Sequence, residues 1–196
     1  MKLRQVLKGA GASGRQGPGL APIFMAIASV SWAQTPPADA TPTRVELPKD
    51  FARTFHLYDK VDKVDRKIVR YLYVNKDALA QVKPGEPFPD GMVLIMEDHG
   101  VVLEAGGAPV KTVDGRLQPT GRVRAVAVME KRKGWGETNL FPPEKDNGDW
   151  EYASFKADGS PNPIKLDACY ACHLPQTKDG LDFTFSGAKI REAAKR

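Results

Sequence analysis

The sequence predicts an α+β fold: a single domain dominated by antiparallel β-sheet, with a few short helices and a Cys/His motif on one of the last of them. Three observations carry that expectation. The runs Ile68 to Val74, Met92 to Glu97 and Arg122 to Glu130 are dense in β-branched, aromatic and other apolar residues and contain no Gly or Pro. Turn chemistry separates them, most plainly at Pro87-Phe88-Pro89-Asp90-Gly91 and Asp114-Gly115. Helix-starting residues, Asn75, Asp167 and Ser186, stand before stretches too short for anything but small helices.

In chain order, residues 1–33 read as a cleavable export signal. Lys2, Arg4, Lys8 and Arg15 precede an apolar stretch from Leu20 to Val30, and Ser31-Trp32-Ala33 offers small residues at a cleavage site. That apolar stretch, interrupted by Pro22, is too short to cross a bilayer, which takes roughly 20 residues, so no membrane span is expected. Residues 34–50, with Pro36, Pro37, Pro42 and Pro48, read as a flexible N-terminal linker, and the domain itself as 51–196. Phe51 to Lys67 mixes apolar and charged residues in a way that suggests one short amphipathic helix. In the run Ile68 to Val74, alternation puts Ile68, Arg70, Leu72 and Val74 on one face and Val69, Tyr71 and Tyr73 on the other. Arg70 therefore lies in an apolar row and needs a partner, an anion or solvent at a sheet edge.

Asn75 is expected to cap a helix over Lys76 to Val82. The second run turns Met92, Leu94 and Met96 to one face, and Asp98-His99-Gly100 reads as a hairpin turn after it, with Val101 to Glu104 beyond. In the third run, Val123, Ala125, Ala127 and Met129 share one side, and Arg122, Arg124, Val126 and Val128 the other. Asp149 to Phe155 supplies a further strand. Asp167 then starts the helix that carries Cys169-Tyr170-Ala171-Cys172-His173, Pro175 cuts it short, and Ser186 opens a last helix.

The pentapeptide 169–173 holds the only two cysteines of the chain and one of its three histidines. Cys-x-x-Cys-His is the attachment signature of a c-type haem: two thiols on one helical turn can each add to a porphyrin vinyl group, and the next residue offers its imidazole to the iron. The competing readings are a disulfide and a thioredoxin-like redox pair; His173 directly after Cys172 and the lack of a βαβ pattern argue against both. Export agrees with haem attachment, since c-type haems are assembled outside the cytoplasm.

Charge excludes one class of partner. The chain has 29 basic and 24 acidic residues, but four of the basic ones lie in the leader, leaving 25 against 24 in the remaining 163 residues. No nucleic-acid footprint is expected from so balanced a chain. His56 and His99 read as surface residues, and Trp135 and Trp150 as core or interface residues. No second Cys/His cluster suggests another metal.

The order Val69-Arg70-Tyr71-Leu72-Tyr73-Val74-Asn75, Phe88-Pro89-Asp90-Gly91, Met92 to Glu97, Gly148-Asp149-Trp150, Cys-x-Ala-Cys-His and Asp182-Phe183-Thr184-Phe185 resembles the cytochrome P-460 family and its cytochrome c′-beta relatives, from about residue 51 to the end. The resemblance implies a periplasmic homodimer of β-sheet subunits. Each would carry one covalently attached haem c, anchored by Cys169 and Cys172, with iron held by His173 and open on its far side. It also implies that Arg70 is a pocket or propionate contact. Cytochromes P-460 proper oxidise hydroxylamine and join a lysine to the macrocycle; here that position is Met96, which has no amine to form the bond. Their distal carboxylate aligns with Val126, which cannot accept the protons hydroxylamine loses.

Those two replacements point to an apolar distal pocket that binds or detoxifies nitric oxide or a similar small ligand. Two other functions stay open: hydroxylamine oxidation, with a cross-link from another lysine such as Lys83 or Lys111, and electron transfer to a periplasmic partner with Met96 as distal ligand.

Overall fold

The structure is a computed structural model of the 196-residue chain, and it describes residues 40–138 and 146–196. The leader, residues 34–39 of the linker, Pro142 and Pro143 lie outside the described residues. Five strands, β1 (His56–Lys63), β2 (Ile68–Val74), β3 (Val93–Val101), β4 (Pro119–Lys131) and β5 (Trp150–Lys156), form one antiparallel sheet in sequence order. Four short helices accompany it: α1 (Phe51–Thr54), α2 (Lys76–Leu79), α3 (Asp167–His173) and α4 (Gly187–Ala193). This is the expected α+β domain. Among the described residues, no helix is long and apolar enough to cross a membrane.

Three local expectations are corrected. The helix expected over Phe51 to Lys67 is only α1, followed by the edge strand β1 and a turn over residues 64–67. The alternating charges of β1, Asp59, Lys60, Asp62 and Lys63, suit a strand paired on one side only, where charge discourages further pairing. Asp98-His99-Gly100 is not a turn but buried strand, inside a β3 that runs on to Val101. The reversal comes later, through bridges Leu103↔Pro109 and Lys111↔Leu117. Residues 41–47 do not behave as a free linker: Thr43 Oγ1 donates to the Tyr152 carbonyl at 2.7 Å, Arg44 pairs with Glu151, and Val45 is buried.

Register sorts the sheet into two faces, because directly paired residues share a side. One face carries the rows Val74–Leu94–Met129–Tyr152, Leu72–Met96–Ala127–Ser154 and Arg70–Asp98–Ala125–Lys156. The helices α2, α3 and α4 cover the first of these rows, where Met92, Trp150, Leu166, Tyr170 and Ile190 complete a core. The second row is only half-buried.

The opposite face carries Tyr73–Ile95–Val128–Ala153 and Tyr71–Glu97–Val126–Phe155. It is closed by the N-terminal arm, with Phe51 edge-on to Tyr73, and by the 102–118 flap, with Leu117 packed on Val69 and Val101. Its central carboxylate, Glu97, is satisfied by neighbours on the same face. Glu97 Oε2 accepts from Tyr73 Oη at 3.1 Å and from His99 Nε2 at 2.8 Å, and His99 stacks on Tyr71. The histidine expected at the surface is thus buried. Burial first, and then the Glu97 charge, pushes the Tyr73 phenol far above its ordinary value.

Candidate functional site

The Cys/His motif stands on α3, with Asp167 as its first helical residue and Pro175 just past its end. Cys169 and Cys172 are three residues apart and Cys169 and His173 four, so all three side chains project toward one side of a two-turn helix. Both cysteines are free thiols, Cys169 half-buried and Cys172 exposed. Burial, with a smaller contribution from Cys172, raises the Cys169 thiol and keeps it protonated. Two neighbouring reduced thiols are what addition to a pair of vinyl groups requires.

Tyr170, on the inner side of the same helix, anchors it. Its ring meets Tyr152 edge-on at 4.7 Å, and Asn147 Nδ2 donates both to Tyr152 Oη at 2.8 Å and to the Tyr170 carbonyl at 3.3 Å. Asn147, itself 1% exposed, therefore ties helix to sheet.

His173 sits between Tyr152 and Phe185, each 4.9 Å away by ring centroids. Its Nδ1 lies 2.6 Å from the Phe183 carbonyl oxygen, which can only accept, so Nδ1 carries the proton and Nε2 is left with its lone pair. Burial pulls this imidazole below the usual histidine value, partly opposed by the Phe183 carbonyl, and so favours the neutral form that ligates metals.

The segment presenting that carbonyl is unusual: Asp182 and Phe183 take φ values of 47° and 60°, a region that costs a non-glycine residue about 1–3 kcal/mol. It is held from outside. Asp182 Oδ2 accepts from the Phe88 amide at 2.8 Å and from Lys131 Nζ at 2.7 Å.

These residues fit a haem. The donor set is two thiols and an imidazole with one nitrogen already engaged. On the face where Tyr152 meets His173, the row Leu72–Met96–Ala127–Ser154 is half-buried, and Phe185 is 63% exposed beside the histidine. A flat apolar macrocycle would cover such surface.

Of the other expected contacts, Met96 and Arg70 lie on this face and Val126 does not. Val126 pairs with Glu97 and Phe155 and is buried at 3% in the opposite core. Period-two alternation makes the two assignments incompatible: if Met96 faces the site, its β4 partner is Ala127. Arg70 has a partner that the sequence reading did not weigh, Asp98 directly across β3, in a two-pronged ion pair at 2.8 and 3.1 Å. Tyr152, Asn147 and Asp182 were missed as site residues, although two of them adjoin or belong to motifs already noted, Gly148-Asp149-Trp150 and Asp182-Phe183-Thr184-Phe185. Only their contacts give them roles.

Comparison with known proteins agrees with the geometry. The profile of the family described as Cytochrome P460 matches residues 48–186, and no curated protein matches the chain.

Proposed function

The chain belongs to the cytochrome P460 family, whose members bind haem, and from that premise we propose a c-type haem protein with a five-coordinate iron that binds or scavenges nitric oxide or a similarly small ligand. The carrying observation is His173: its Nδ1 is committed to the Phe183 carbonyl, its Nε2 is unshared, and two free thiols stand on the same helix. Cys169 and Cys172 would hold one haem covalently and His173 its iron. When bound, the group supplies ligand binding and one-electron chemistry at iron.

The chain's own contribution is orientation and polarity. Phe183 fixes the imidazole plane and keeps the proton on Nδ1. Leu72, Met96 and Ala127 offer no titratable group to the site, so replacing Val126 by Ala127 as the facing residue leaves an apolar wall. Such a wall excludes water and anions while admitting a neutral diatomic. Titrating the ferrous protein with nitric oxide should shift the Soret band stoichiometrically; an unchanged band would sink the reading.

Hydroxylamine oxidation is the second reading, favoured by Asp98, a buried carboxylate on the same face. Its Arg70 fork weighs against that role, since both carboxylate oxygens are already engaged by the guanidinium. Turnover of hydroxylamine with an artificial acceptor, abolished in Asp98→Asn, would establish it. The leader pattern supports export to the periplasm, and the family resemblance supports a homodimer; light scattering of the purified protein checks the latter.

A further inference from the structure

We propose that Asp182 is a positioning residue for His173, setting the strength of the iron–histidine bond through the Phe183 carbonyl. The inference rests on the reading of His173 as the axial ligand and goes beyond it.

The chain of contacts is short. Phe183 O accepts from His173 Nδ1, and Phe183 directly follows Asp182, both in the left-handed backbone region. Two successive non-glycine residues do not hold that conformation unaided. Two groups hold it: the Phe183 amide donates to the Gln176 carbonyl at 2.5 Å within the same connection, and the Asp182 carboxylate ties that connection to two separate elements, the Phe88 amide in the turn before β3 and the Lys131 ammonium at the end of β4. The Asp182 and Lys131 side chains are each 13% exposed, so the pair is largely shielded from water and salt.

The remaining side-chain hydrogen bonds of the segment act elsewhere. Thr184 Oγ1 returns to the Leu181 carbonyl, and Arg191 donates to the carbonyls of Gly180, Lys83 and Glu86. They close the turn on either side of Asp182 and Phe183 without touching either residue. A carbonyl held firmly against Nδ1–H gives the imidazole more anionic character and makes it a stronger donor to iron. A carbonyl that drifts makes it a weaker one. The Lys131–Asp182 pair thus acts on iron through one backbone group.

The test uses the haem-loaded, full-length protein, with resonance Raman of the ferrous form and the midpoint potential as readouts. Asp182→Asn suits it, because asparagine tolerates the left-handed region as readily as aspartate and keeps one acceptor oxygen while losing the charge. Lys131→Met removes the pair from the other side. Both variants should lower and broaden the iron–histidine stretching band and raise the potential. Arg191→Met, which loosens the same segment at Gly180, should lower the melting temperature and leave the band in place.

A wild-type band and potential in folded Asp182→Asn and Lys131→Met would overturn the inference while His173 remained the ligand. Should Asp182→Asn not fold, Lys131→Met decides on the same readouts. An iron–histidine band that persists in His173→Ala would instead overturn the ligand assignment, and the inference with it.

Discussion

The two faces of the sheet are built from the same five strands and finished differently. On the face of Ile95, Val126, Val128 and Phe155, each 5% exposed or less, the chain seals its own core, and its carboxylate Glu97 is hydrogen-bonded by Tyr73 and His99. On the face of Leu72, Met96, Ala127 and Ser154 the sealing stops after one row, and the Cys/His motif stands where it stops. Residues that alternate along one strand therefore serve different ends: the odd-numbered ones of β3 stabilise the protein, and the even-numbered ones are partly reserved for a group the chain does not itself supply.

That contrast can be broken in several places. The largest effect is expected from Cys169→Ser with Cys172→Ser: haem should be lost completely on denaturation, with the opposite face untouched. Absorbance after acid–acetone extraction measures it. Next, Val126→Glu and Ala127→Glu separate the faces at neighbouring positions. The first buries a carboxylate among apolar side chains and should cost several kcal/mol in denaturant unfolding. The second should cost little and, if the haem covers this face, make the ferric spectrum depend on pH as the new carboxylate titrates there.

A smaller contrast uses apolar truncation. Ile95→Ala should destabilise by about 2–5 kcal/mol with an unaltered Soret band. Met96→Ala, half-buried, should cost about 1 kcal/mol and change ligand-binding kinetics instead. If the ferric wild type showed a Met–iron charge-transfer band that Met96→Ala removed, the even face would provide its own sixth ligand.

The smallest effect concerns the flap over the sealed face. Asp62 accepts from Arg116 Nε at 2.8 Å and from the Leu117 amide at 3.0 Å, and the Arg116 hydrogen bond is the main cause holding its carboxyl below the ordinary value. A depressed carboxylate binds fewer protons folded than unfolded, so its contribution is present above the ordinary value of 3.8 and fades as pH falls through the folded one. Asp62→Asn should flatten that part of the acid-unfolding curve and lower stability near neutrality by a small amount, because the contribution it removes is the one present above the ordinary value.

Much of this organisation was legible in the sequence, and the failures share a cause. The strands β2, β3 and β4 announced themselves because their residues are apolar enough to be read one segment at a time. The end of β3 did not, since Asp98, His99 and Gly100 have turn composition and become strand only because Arg70, Glu97 and Thr120 supply partners from elsewhere. Edge strand β1 was hidden by its charges in the same way. At the site, the motif pointed to a haem, as the family match does, whereas Val126 was placed by alignment against a family pattern. Its error was one residue, which in a strand is a change of face. Asp182 and Asn147 could not be assigned roles at all from local pattern, because each acts by joining elements distant in the chain.

The most direct test of the account is the mass of the denatured protein, expressed with c-type haem maturation and digested to peptides. The account predicts one added haem, on the peptide that contains Cys169 and Cys172 and on no other. A chain without the added mass, or haem carried by a peptide lacking those residues, would contradict it.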